Sequence, residues 1–89
     1  MSATELQQAH EELERAVETA DDDVRDSVRE VADAFGDYAE GDREADHTLL
    51  DEHLNTLRQA EERADGETAE HIDTALERAE EYRENLDRA

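Results

Sequence analysis

Ala20-Asp21-Asp22-Asp23-Val24-Arg25, residues 20–25, decides how many helices this chain forms. Upstream, Leu6, Ala9, Leu13, Ala16 and Ala20 recur at spacings of three and four, which is one face of a helix. Downstream, Val24, Val28, Val31, Phe35 and Tyr38 continue at the same spacing. If the chain turns at Asp21, that residue caps a second helix, and Asp22 and Asp23 sit favourably at the positive end of its dipole. If it does not turn, one helix runs from Thr4 to about Tyr38 and the chain has three helices, since nothing between Ala20 and Val24 forbids it.

The second half of the chain favours the turn. Two more stripes appear there, Leu50, His53, Leu57, Ala60 and Ala64, then Thr68, Ile72, Ala75, Ala79, Tyr82 and Leu86. An offset of 44 residues lays the first half on the second: Leu6 falls on Leu50, Leu13 on Leu57, Ala20 on Ala64, Asp21 on Asp65 and Tyr38 on Tyr82. In that second copy the decisive stretch reads Ala64-Asp65-Gly66-Glu67, a helix break with Asp65 placed to cap and Glu67 favourable in the first turn. The expected fold is all-α, an antiparallel four-helix bundle made of two tandem helical hairpins. They span residues 4–39 and 47–87, joined by a linker at 40–46, in a single domain 1–89. Three helices with a long first helix is the alternative. Pro is absent and β-branched residues never sustain an alternation, so strands are not expected.

The seam of this bundle should be Leu6, Leu13, Val28, Val31, Phe35, Leu50, Leu57, Ile72 and Leu86. Val17, Leu49, Leu54 and Leu76 lie one step beside it, where they either widen the buried stripe or form a partner-facing patch. Gly36, inside the second helix, costs about 1 kcal/mol against Ala and predicts fraying from that point. Tyr38 and Tyr82 should close equivalent ends of the two hairpins, each burying its ring and leaving its hydroxyl wet.

Composition sets the environment. Charged residues reach 43% and hydrophobic ones only 35%, a balance near that of disordered chains, so the periodicity is what argues for folding. The 29 acids against 9 basic residues give a formal charge of −20, and every basic residue is Arg. Concentrated salt screens such self-repulsion, with a Debye length of roughly 3 Å at 1 M, so the chain reads as a halophilic, acidic, cytoplasmic protein. No apolar run approaches a membrane span, and residues 1–5 lack a basic region followed by an apolar one.

Chemistry is sparse. Cys is absent, so no disulfide, thiolate ligand or thiol nucleophile is available. The four histidines, His10, His47, His53 and His71, build no His-x-x-x-His pattern, and the single Glu-x-x-His, Glu44 to His47, falls beside the linker. His53 on the seam reads as a partly buried packing residue with one satisfied nitrogen. Asp21 to Asp23 could hold a cation, but Arg25 and Asp26 stand where a calcium loop needs a ligand and its Gly. No phosphate loop or nucleophile elbow occurs, and 29 acids make any carboxylate pair uninformative as an acid/base signal. Dispersed, outnumbered Arg residues disfavour direct nucleic-acid binding. The expected function is a non-catalytic protein-interaction or regulatory module without a cofactor, its protein partner unknown; a cation- or small-ligand-binding helical protein is the alternative. A homodimer formed by exchange through the linker would enlarge a small, Ala-rich core.

The runs Leu13-Glu14-Arg15-Ala16, Ala20-Asp21-Asp22-Asp23-Val24-Arg25, Asp46-His47, Leu54-Asn55-Thr56-Leu57 and Ala64-Asp65-Gly66-Glu67 resemble a family of short haloarchaeal proteins of unknown function. The resemblance covers nearly the whole chain and implies compartment and organism class, with no activity or functional residue to carry over. Asp21-Asp22-Asp23-Val24-Arg25 is also similar, over that short run, to the start of a helix in HEAT-like repeats.

Overall fold

The computed structural model describes residues 4–88, which form four helices and, among the described residues, no strand. They are α1 (Thr4–Thr19), α2 (Asp22–Glu40), α3 (His47–Arg63) and α4 (Gly66–Arg88). The chain therefore does turn at Ala20-Asp21, and the long-first-helix alternative is excluded. The same step recurs in the second half. α1 ends at Thr19 and α2 begins at Asp22, as α3 ends at Arg63 and α4 begins at Gly66, each 44 residues on.

Short turns make consecutive helices antiparallel. α1 packs on α2 and α4, α3 packs on the same two, and the diagonal pairs bring no described Cα atoms within 8 Å of each other. The broadest contact is α1 with α4 and the slimmest is α2 with α3. Leu6, Leu13, Val28, Phe35, Leu50, Leu57 and Ile72 are fully buried and Val31 nearly so, as the stripes require. Leu86, expected in the seam, is only half-buried near the end of α4. Leu54 and Leu76 are buried at 3% and 5% exposure, so they belong to the core and not to a partner patch. A helix with two neighbours buries a wider stripe than a single seam, and these positions fill the added width.

The ends differ from the sequence reading in informative ways. Asp21 occupies the N-cap position of α2 with extended backbone, but its side chain makes no capping bond. Its carbonyl accepts from the Val24 and Arg25 N–H groups instead. The Arg25 guanidinium reaches back to donate to the Ala20 carbonyl at 2.8 Å and to Asp22 at 2.9 Å. That supplies a cation at the C-terminal end of α1, which has no basic residue in its own last turn. Asp46 does cap α3, accepting from the Leu49 N–H at 2.8 Å. α2 does not fray at Gly36 but runs on to Glu40, where Gly41 (φ 87°) closes it and its N–H bonds the Tyr38 carbonyl.

Gly36 has a packing reason. A Cβ there would lie 3.0 Å from Cε1 and 3.2 Å from Nδ1 of His10, whose ring rests against the helix at that spot. The absent side chain lets the His10 Nδ1–H donate to the Ala32 carbonyl at 2.7 Å, tying α1 to α2.

Candidate functional site

Polar groups inside the bundle join helices. His10, His53 and His71 do so. His10 links α1 to α2 as described; His71 on α4 meets Glu12 on α1 at 3.2 Å; His53 on α3 meets the Tyr38 hydroxyl on α2 at 2.9 Å. Thr68, the one buried polar residue among the described residues, shares a 2.6 Å hydroxyl contact with Thr19 across the α1–α4 interface. On the α3–α4 side, Arg58 bonds Glu80 and Arg83 bonds Asp51, both at 2.7 Å. No buried side-chain nitrogen or oxygen among the described residues is without a partner.

The electrostatics follow from these ties. Burial pushes the Glu12 carboxyl up, but hydrogen bonds from His71 and Arg15 more than offset it, so its pKa lies below the usual 4.5. Burial lowers the His53 pKa from its usual 6.5, and the nearby Arg43 cation lowers it further against Glu52 and Glu30. Phe35 meets His53 edge-on at 5.8 Å, and the Arg43 guanidinium lies 5.2 Å from the centre of the Tyr38 ring. Burial raises the Tyr38 pKa; the residue is 6% exposed and its hydroxyl, expected to be left to solvent, is engaged by His53. Burial and the neighbouring Asp73 carboxylate raise the Glu61 pKa.

Several open clefts lie among the described residues. One, of about 240 Å³, lies where the two tight turns meet, between Thr19, Asp21, Asp65 and Thr68. A second, of about 500 Å³, sits under the linker and brings Tyr38 and Tyr82 to the same wall with Arg43 and Leu86. A third, of about 300 Å³, runs along α1 and α2 with Val17 and Ala32 at its floor and Glu14, Glu18, Arg29 and Asp33 beside them.

The predicted partner patch is divided. Val17 lies in the α1–α2 groove near the tight turns, whereas half-buried Leu49 lies at the start of α3, at the linker end. The candidate cation residues Asp21 to Asp23 do not converge: Asp22 is 96% exposed and paired with Arg25. Among the described residues, the group of three carboxylates within mutual reach is Asp37, Glu40 and Asp42, whose oxygens lie within 4.8 Å of one another at the end of α2. Sequence spacing missed it because Asp42 is brought back by the Gly41 turn, its N–H bonding the Asp37 carbonyl.

A family description of unknown function, DUF7553, matches residues 1–85. The chain belongs to the DUF7553 family. No curated protein and no solved structure matches it. For this DUF7553 chain, no helix among the described residues is long and apolar enough to cross a membrane.

Proposed function

We propose that this DUF7553 chain is a non-catalytic protein-interaction or regulatory module of a salt-adapted cytoplasm, working through its acidic exterior. One contrast supports the reading. Interior polar groups are committed to joining helices, while Glu11, Glu18, Asp26, Glu30, Glu70 and Glu77 face outward from α1, α2 and α4. Lys is absent and the formal charge is −20, which suits a surface evolved for concentrated salt. The two hairpins read as a tandem duplication, and exchange through the linker expected at 40–46, whose Glu40 instead ends α2, would give a homodimer. The test is affinity capture with tagged chain in lysate at native salt, followed by repetition with a variant whose outward acids are changed to amides. A protein retained by the first and lost by the second supports the reading. Recovery of the chain alone under every salt condition rejects it.

A second reading, cation binding, has a specific observation in its favour: the Asp37, Glu40 and Asp42 trio. Calorimetric titration with Mg²⁺, Ca²⁺ and Zn²⁺ in molar KCl separates the two. Saturable binding that Asp37→Asn abolishes supports the second.

A further inference from the structure

The turn between α3 and α4 consists of Ala64 and Asp65, and the next residue, Gly66, opens α4. Asp65-Gly66 is the only Asp-Gly step in the chain. Both residues are exposed. Gly66 has φ 57°, and no heavy atom lies within 4 Å of where a Cβ would stand. As the first residue of α4, Gly66 has no intrahelical acceptor for its N–H. The Asp65 carboxylate takes no hydrogen bond or ion pair among the described residues.

An amide nitrogen that follows an Asp lies one ring closure away from a five-membered imide. Closure needs a nitrogen outside the helical hydrogen-bond ladder, a carboxyl free to turn, and little crowding from the following residue. Asp65 meets all three conditions, since Gly carries no Cβ to block the attack and lets the backbone rotate. Other Asp residues are worse placed. Asp26, Asp33, Asp37, Asp51 and Asp73 lie inside helices, where the following N–H is held by a carbonyl one turn back. Asp46 is engaged by the Leu49 N–H, and Asp42 precedes Arg43, whose N–H donates to the Asp37 carbonyl. The matching turn of the first hairpin reads Ala20-Asp21-Asp22, so the repeat supplies an internal control with a side chain where the second copy has Gly.

We propose that Asp65 is a site of covalent self-modification, converting to isoaspartate through a cyclic imide formed with Gly66. The Gly66 nitrogen attacks Cγ of the carboxylic-acid form of Asp65. A C–N bond forms, the nitrogen gives up its proton, and the Cγ hydroxyl departs as water. Water then adds to the ring carbon that was the Asp65 main-chain carbonyl and breaks its bond to nitrogen, so the chain runs on through Cβ and Cγ. One water is lost and one regained, nothing is oxidised or reduced, and a free carboxylate remains. The reaction is intramolecular, so concentrated salt does not screen it away. Its product adds one backbone carbon to a two-residue turn, close before the Thr68 hydroxyl that meets Thr19 at 2.6 Å.

The experiment incubates the full chain in molar KCl at mildly acidic pH, either folded, as verified by circular dichroism, or unfolded in urea. Peptide mapping with electron-transfer fragmentation locates isoaspartate, which forms without a change in mass. In the folded chain Asp65 should convert at least about tenfold faster than Asp21 or any other Asp, equivalent to about 1.4 kcal/mol in the barrier. Its rate should stay within about tenfold of that in urea, because the folded turn leaves the step open. Asp65→Glu keeps the charge but would have to close a six-membered ring, and should show no conversion at that position. No isoaspartate at Asp65, faster conversion at another Asp, or a folded rate more than about tenfold below the urea rate would overturn the proposal.

Discussion

Gly36→Ala should change sign with the residue at position 10. In an exposed helix interior the substitution stabilises by about 1 kcal/mol, because Ala loses less backbone entropy. Here the new Cβ would lie 3.0 Å from Cε1 and 3.2 Å from Nδ1 of His10, so the ring must move. Moving it stretches the 2.7 Å bond to the Ala32 carbonyl, which costs about 1 kcal/mol, and repacking the displaced ring costs about 1 kcal/mol more. The parent should therefore lose about 1 kcal/mol on Gly36→Ala. In a His10→Ala background no ring opposes the methyl group, and the same change should gain about 1 kcal/mol. The coupling between the sites is then about 2 kcal/mol, measurable by a double-mutant cycle in urea denaturation at fixed salt. For a domain of this size each 1 kcal/mol also moves the melting temperature by roughly 4–8 °C. Equal stabilisation in both backgrounds would refute the account of Gly36 as the seat of the His10 ring.

Phe35→Ala should cost about 3–5 kcal/mol, since the ring is fully buried, and a melting shift of only a degree or two would contradict its place in the core. The melting temperature should rise from dilute buffer to molar KCl: at 0.01 M salt the screening length of about 30 Å approaches the 36 Å length of the bundle, and at 1 M it falls to about 3 Å. A flat profile by circular dichroism at 222 nm would mean that self-repulsion does not limit stability. The His53 ring, titrated by NMR, should show a midpoint below 6.5. Above 6.5 neither state holds the proton, and as pH falls the unfolded chain takes it first. The parent should thus lose stability below that pH relative to His53→Gln, and equal pH profiles for the two would refute this. Glu12 acts lower on the scale. Its folded pKa lies below 4.5, so its contribution is present above that value and lost as pH falls through the folded pKa, a loss that Glu12→Gln should remove from the acid limb of a denaturation curve.

Much of the fold was legible because helical burial writes itself at spacings of three and four. Leu6, Leu13, Val28, Leu50, Leu57 and Ile72 needed only that rule. The turn at Ala20-Asp21 was harder, since three Asp residues continue a helix as easily as they cap one, and the matching Asp65-Gly66 tipped the choice. Contacts between helices were not legible. The purpose of Gly36 depends on a ring 26 positions away, and Leu54 and Leu76 looked peripheral until the bundle gave each helix two neighbours. Asp21 had the right residue type for a cap, yet the Arg25 guanidinium closes that junction through Ala20 and Asp22. The candidate site fared worst, because a patch such as Val17 with Leu49 depends on which end of the rod each residue reaches.

Because α1 finds its broadest partner in α4, the first and last helices of the chain are neighbours, and Glu5 lies within 3.5 Å of Asn85. During synthesis α1 has only α2 to lean on until α4 leaves the ribosome, so the nascent hairpin stays open along one flank while α3 and α4 are made. The same adjacency makes the order of the hairpins interchangeable. A circular permutant opened within residues 41–46 and joined between the present ends would place α3 and α4 ahead of α1 and α2 while keeping every interface. Its nascent chain would begin with the hairpin that carries the Arg58–Glu80 and Arg83–Asp51 ties, and the two gene orders would then race to the same bundle from opposite halves.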